Sequence, residues 1–241
     1  MRIFIEKDYD SMSRKAFEVI KEVIVNNPNA VLGLATGSSP IGMYQEMVKD
    51  HKKNGTSYKN VKSVNLDEYV GLGEGDEQSY VTFMRENLFN HVDIDLNNTR
   101  LPNGKAVDLQ KECDDYNAYL ASLTVDVQVL GIGSNGHIGF NEPFTPFGSV
   151  THIVDLTENT IKDNSRLFNS IDEVPKQALS MGIKNIMNAK LLLLVASGKN
   201  KADAIYKTVK GDVCEAVPAS VLQLHNNVVI ICDEDAASLI K

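Results

Sequence analysis

Leu191 to Ala196 is an unbroken row of six apolar residues, and it limits the possible folds more than any other stretch. A strand alternates its side chains between two faces, so a run that is apolar throughout is covered on both, as in the middle of a parallel sheet. Parallel neighbours need crossover helices. Further strands are predicted at Arg2 to Glu6, Ala30 to Ala35, Val61 to Leu66, Val125 to Leu130, Thr151 to Leu156, Ala178 to Met181 and Val228 to Cys232. Between them, apolar residues recur at helical spacing: Met12, Ala16, Val19, Ile20 and Ile24, halted by Asn26, Asn27 and Pro28, then Tyr44, Met47, Val48 and His51 behind Pro40 in the first turn. Tyr80, Phe83, Met84 and Leu88 follow a cap at Ser79, and Leu109, Cys113, Tyr116, Leu120 and Leu123 mark a longer helix. Ala202 and Ile205 lie on another, and a last helix is expected between the final strand and Lys241. No repeat or linker interrupts residues 1–241, which read as a single α/β domain.

Charge narrows the choice of partner. The formal net charge of −8, from 24 Lys and Arg against 32 Asp and Glu, argues against nucleic acid, and an anionic substrate needs its own local basic pocket. Cys113, Cys214 and Cys232 are odd in number and widely spaced, which fits buried thiols in a reducing, cytoplasmic setting. The apolar start, Met1 to Glu6, is too short for a signal peptide, and Leu191 to Ala196 is far short of a membrane span. No histidine pair has metal-ligand spacing, and the zinc-deaminase pattern H-x-E with P-C-x-x-C is missing, so no metal is expected.

The densest chemistry lies in Leu130 to Pro143, LGIGSNGHIGFNEP. Glycines force a sharp exit at the carboxyl end of a strand, where open α/β sheets bind ligands. Asn135, His137 and Glu142 bring an amide, an imidazole and a carboxylate together within eight residues. Gly131, Gly133 and Gly136 also spell a dinucleotide fingerprint, but Pro143 and Pro146 follow where the fingerprint needs a helix. Three other strand ends face the same crevice. Thr36, Gly37, Ser38 and Ser39 run into a helix start and form an anion-binding concavity. Asp67 and Glu68 close the Val61 strand, and Ser197 to Lys201 follow the Leu191 strand. Thr157 to Asn169 reads as a helical segment suited to a mobile lid and carries Arg166. Anion binding beside carboxylate and imidazole acid/base groups suits a sugar phosphate better than a nucleotide.

These stretches together resemble the glucosamine-6-phosphate deaminases over essentially the whole chain. The likeness is carried by Leu34 to Pro40 (LATGSSP), Asn65 to Leu72 (NLDEYVGL), Leu130 to Pro143, Asn164 to Phe168 (NSRLF) and Leu222 to His225 (LQLH). It implies a Rossmann-like open, mostly parallel sheet with helices on both faces, and conversion of glucosamine 6-phosphate and water to fructose 6-phosphate and ammonia without organic cofactor or metal. By the same resemblance, His137 opens the sugar ring with help from Glu142 and Asn135, and Asp67 carries a proton between C2 and C1. Gly37, Ser38, Ser39, Arg166 and Lys201, in preference to Lys199, hold the phosphate. An ordinary aspartate pKa of about 3.9 leaves Asp67 ionised at neutral pH, with Glu68 the alternative base. Many relatives carry aspartate at the place of Asn135, and an amide orients His137 without stabilising its cation by charge. Rival readings are a 6-phosphogluconolactonase and a sugar-phosphate-sensing regulatory domain, the latter disfavoured by the acidic balance and the lack of a helix-turn-helix ahead of the first strand. Regulated hexameric relatives carry a longer carboxyl-terminal tail and basic residues where this chain reads Thr151 to Asp155. The expectation is therefore a monomer or small homo-oligomer with hyperbolic kinetics.

Overall fold

The computed structural model describes residues 1–165, 168 and 170–241, with Asn159, Asp163 and Asn164 described as backbone only. In chain order the elements are β1 (Arg2–Glu6), α1 (Tyr9–Asn26), β2 (Val31–Leu34), α2 (Ile41–Asn54), β3 (Lys62–Asn65), β4 (Asp67–Tyr69), α3 (Tyr80–Asn87), β5 (Thr99–Arg100), α4 (Leu109–Ala121), β6 (Val127–Leu130), β7 (His152–Asp155), α5 (Glu158–Asn164), β8 (Gln177–Ser180), α6 (Ile183–Met187), β9 (Leu192–Ala196), α7 (Ala202–Lys210) and β10 (Val228–Asp233). Seven strands form one sheet in the order β1-β10-β9-β6-β2-β3-β5, and every pairing in it is parallel. All residues of β2, β6, β9 and β10 are buried, so both faces of the sheet are covered, as the apolar run at Leu191 predicts.

Helix α1 shows why the covering holds. Asp8 caps it by accepting the Ser11 amide at 2.8 Å, and Met12, Ala16, Ile20 and Ile24 form one buried stripe. Each of the larger side chains contributes about 1.5–3 kcal/mol when fully buried. Replacing Ile20, which is fully buried, with a charged residue would strand that charge in the core.

Three departures from the sequence reading have physical causes. Asp67 to Tyr69 do not simply end β3: they form β4, which pairs antiparallel with β8, itself antiparallel to β7, in a second, three-stranded sheet. Its small core of Tyr69, Phe140, Val154, Leu156 and Ala178 is separate from the main one. Helix α2 begins at Ile41, with Pro40 as its cap at φ −85° and ψ −8°; the fixed proline φ suits either position. No helix follows β10. Asp233 accepts the Ala236 amide at 2.8 Å, as a helix cap would, but the amides of Ser238 and Ile240 close onto carbonyls three residues back, so residues 234–240 form turns.

Candidate active site

The strand order places the carboxyl ends of β9, β6, β2 and β3 side by side, so the segments singled out in the sequence share one rim. At the end of β6 the glycines have separate duties. A Cβ on Gly133 would lie 2.2 Å from the His137 ring, so glycine there makes room for the imidazole. Gly136 has φ +88° and packs against Val217, a backbone conformation that suits glycine. The far side of the loop is fastened to β8: Asn141 donates to Ile138 O and Met181 O at 2.9 Å each, and the Phe140 amide donates to Ser180 Oγ at 3.1 Å.

This frame gathers two hydrogen-bond donors and an imidazole on Glu142. Asn135 Nδ2 donates to Oε2 and Thr160 Oγ1 to Oε1, each at 2.7 Å, while His137 Nδ1 stands 3.5 Å from Oε2. Burial would raise the Glu142 carboxyl, but the imidazole, Thr160 and Asn135 together hold it down to about 2. Asn135 meets His137 at the backbone. Its Oδ1 accepts the His137 amide at 3.2 Å, and the group facing the imidazole is Glu142.

Asp67 and Glu68 stand next to each other on β4, so their side chains leave opposite faces. Glu68 accepts the amides of Tyr69 and Tyr80 at 2.9 Å and of Val81 at 3.0 Å, which makes it the cap of α3 beside Ser79. Burial pushes it up to about 7 against the pull of those amides. Asp67 faces the loop after β6: a Cβ on Gly139, two residues past His137, would stand 3.7 Å from Asp67 Oδ2. Burial, with the Glu68 charge adding to it, pushes Asp67 up to about 8. An ordinary, fully ionised aspartate, as expected from the sequence, is therefore not what the site holds; the apolar and aromatic surroundings prevail.

At the end of β2 the loop 36–39 is propped from beneath by Tyr9, whose hydroxyl donates to Ser38 O at 2.9 Å and accepts the Gly42 amide at 2.8 Å. Gly37 has φ +88°. Among the described residues, the amides of Gly37, Ser38 and Ser39 donate to no protein acceptor, and they lie at the amino end of the 14-residue α2, where an anion is favoured. Lys201 caps α7 after the short turn Lys199–Lys201 at the end of β9. Asp233 shapes that turn by accepting the Ser197 hydroxyl and the Gly198 amide. Arg166 lies outside the described residues, and helix α5 occupies part of the expected lid segment. Among the described residues no three His, Cys, Asp or Glu side chains converge as metal ligands would, and no helix is long and apolar enough to cross a membrane.

Sequence reasoning missed Thr160, Ser180 and Asp233. Each is a common polar residue whose significance comes only from its partner across the fold; Ser180 and Asp233, each the last residue of a strand, carried a local signal, and Thr160 carried none.

The chain is similar to known proteins over essentially its whole length. Two curated relatives, both called glucosamine-6-phosphate deaminase, come from Clostridium novyi (strain NT), 52% identical over 99% of each chain, and Clostridioides difficile (strain 630), 55% identical over 99% of this chain and 96% of that one. A solved structure described as a monomeric glucosamine-6-phosphate deaminase superposes with a TM-score of 0.97 at 45% identity, covering 99% of this chain and 100% of that one. The 6-phosphogluconolactonase from Trypanosoma brucei has a TM-score of 0.80 at 18% identity over 100% of this chain and 98% of its own, a likeness of fold alone. Residues 6–231 match the family described as glucosamine-6-phosphate isomerases/6-phosphogluconolactonase, and the chain belongs to that family.

Proposed function

We propose that the chain is a glucosamine-6-phosphate deaminase, converting glucosamine 6-phosphate and water to fructose 6-phosphate and ammonia in amino-sugar catabolism. The observation that carries it is the meeting of two acid/base systems at one rim: His137 with ionised Glu142 in the loop after β6, and, facing that loop, a buried Asp67 pushed up to about 8. The first suits ring opening, in which the imidazole moves a proton to the ring oxygen and Glu142 balances the charge it gains. The second suits isomerisation. A base that takes a proton from C2 and returns it to C1 works best with a pKa near the working pH, so that accepting and releasing are both easy. After that transfer the C2–N bond is imine-like, water adds at C2, and ammonia leaves. The free amides of Gly37, Ser38 and Ser39 face the phosphate, with Lys201 and Arg166 supplying charge.

The closeness to deaminases over the whole length favours this reading over lactone hydrolysis, for which only the fold is shared. A monomer or small homo-oligomer is part of the proposal, supported by the likeness to a structure described as monomeric. So is a cytoplasmic setting, supported by three free thiols. The test is to supply glucosamine 6-phosphate with a chelator present and measure ammonia and fructose 6-phosphate in equal amounts. Turnover of 6-phosphogluconolactone without ammonia release from the amino sugar would overturn it.

A further inference from the structure

We propose that Thr160, on the first turn of α5, is a positioning residue that fixes the rotation of the Glu142 carboxylate and so aims it at His137. The proposal rests on the deaminase reading of the site and adds to it a residue outside the loop and strand ends already assigned.

The argument begins with what an ionised carboxylate can do. It only accepts, so in the 2.7 Å contact with Glu142 Oε1 the Thr160 hydroxyl must be the donor. Thr160 Oγ1 then accepts from the Thr157 hydroxyl at 3.0 Å, and Thr157 Oγ1 accepts the Thr160 amide at 3.2 Å as the cap of α5. Every hydroxyl proton in this short relay has a partner. Asn135 and His137 both address Oε2, whereas Oε1 is held by Thr160. The last torsion of a glutamate is broad and weakly restrained by its own sterics. Donors on Oε2 alone leave the carboxylate free to tilt about that oxygen; a donor on Oε1 from a different segment stops the tilt. Thr160 is buried, so bulk water is poorly placed to replace its hydroxyl.

The contact is also selective in what it secures. The backbone cap made by Thr157 uses the Thr160 amide, not its hydroxyl. Replacing Thr160 with valine therefore removes the bond to Glu142 and keeps the β-branched shape and the helix cap.

The experiment compares Thr160→Val and Thr160→Ser with the parental enzyme, measuring kcat, KM, fructose 6-phosphate affinity and melting temperature, and repeats the valine change in a Glu142→Gln background. The expected result for Thr160→Val is a kcat lower by about 10- to 100-fold, the worth of a hydrogen bond to an ionised group, with KM and product affinity within about 3-fold of parental. Thr160→Ser should restore most of kcat, and the valine change should add little once Glu142 is glutamine. Parental kcat in Thr160→Val overturns the inference, as does a loss that serine does not rescue and that appears equally in KM and melting temperature. If the parental enzyme itself releases no ammonia, the deaminase reading is what has failed.

Discussion

Asp67, the proposed base, is buried, so Asp67→Asn tests its part in catalysis and its effect on stability separately. In the folded protein this group is pushed up to about 8; in the unfolded chain it returns to about 3.9. The folded state thus binds the proton more tightly than the unfolded state. Its contribution is fully present below about pH 4 and is lost as the pH rises through about 8, above which the ionised group carries the whole cost of burial. At about 1.4 kcal/mol per tenfold change in proton affinity, the ceiling is about 6 kcal/mol. Glu68 shares that cost and the site has some access to solvent, so a net gain of about 2 kcal/mol is expected from a neutral side chain of the same shape. For a chain of this size that corresponds to a melting temperature higher by about 4–8 °C at pH 9, with little change at pH 5, where the parental aspartate is already protonated. In the same variant turnover and solvent tritium exchange at C1 or C2 should disappear, because the amide cannot take the proton, while fructose 6-phosphate still binds. Scanning calorimetry at both pH values checks the first part. An unchanged difference between variant and parent from pH 5 to pH 9 would refute the claim that burial raises this carboxyl, and near-parental exchange would show that Asp67 is not the base.

Gly133→Ala should lower turnover by about 100-fold, the scale of a 1 Å misplacement at a reacting centre, because its Cβ would stand 2.2 Å from the His137 ring; parental turnover would show that the ring has another resting place. Lys201→Ala and Arg166→Ala should each raise the substrate constant by about 10- to 100-fold, as the loss of a charge-assisted phosphate contact does, and equilibrium binding of fructose 6-phosphate separates this from damage to catalysis. Substrate titrations should be hyperbolic and indifferent to N-acetylglucosamine 6-phosphate. In β7, His152 is turned to Val150 O at 2.8 Å and Asp155 accepts from Gln177, which leaves little there to favour an anion; a sigmoidal curve that the effector makes hyperbolic, or a six-subunit mass by light scattering, would contradict this.

The parallel sheet was legible because doubly buried strands leave unbroken apolar runs, and Leu191 to Ala196 marked an interior strand, β9, between β6 and β10. The four strand ends were legible for the same reason: glycines and small polar residues collect where parallel strands end. The second sheet was hidden. Asp67 to Tyr69 carry two charges in three residues, a pattern that local propensity assigns to a loop, and only pairing with the distant β8 makes them a strand. Charge states were hidden as well. Nothing adjacent in sequence tells that Asp67 lies among Tyr69, Tyr80 and Tyr116, or that Thr160 reaches back 18 residues to Glu142.

The second sheet also decides which carboxylate serves the crevice. Asp67 lies opposite Ser180, and Ser180 opposite His152, with Ser180 Oγ accepting the amide of Phe140. Adjacent residues of a strand face opposite ways, so a slip of one position between β4 and β8 would turn Asp67 toward the amides of α3 and present Glu68 to His137. Such a chain could keep its main sheet and much of its core and still turn the other acid, one methylene longer, toward the loop after β6. The register between β4 and β8 thus decides which of the two carboxylates faces the loop after β6.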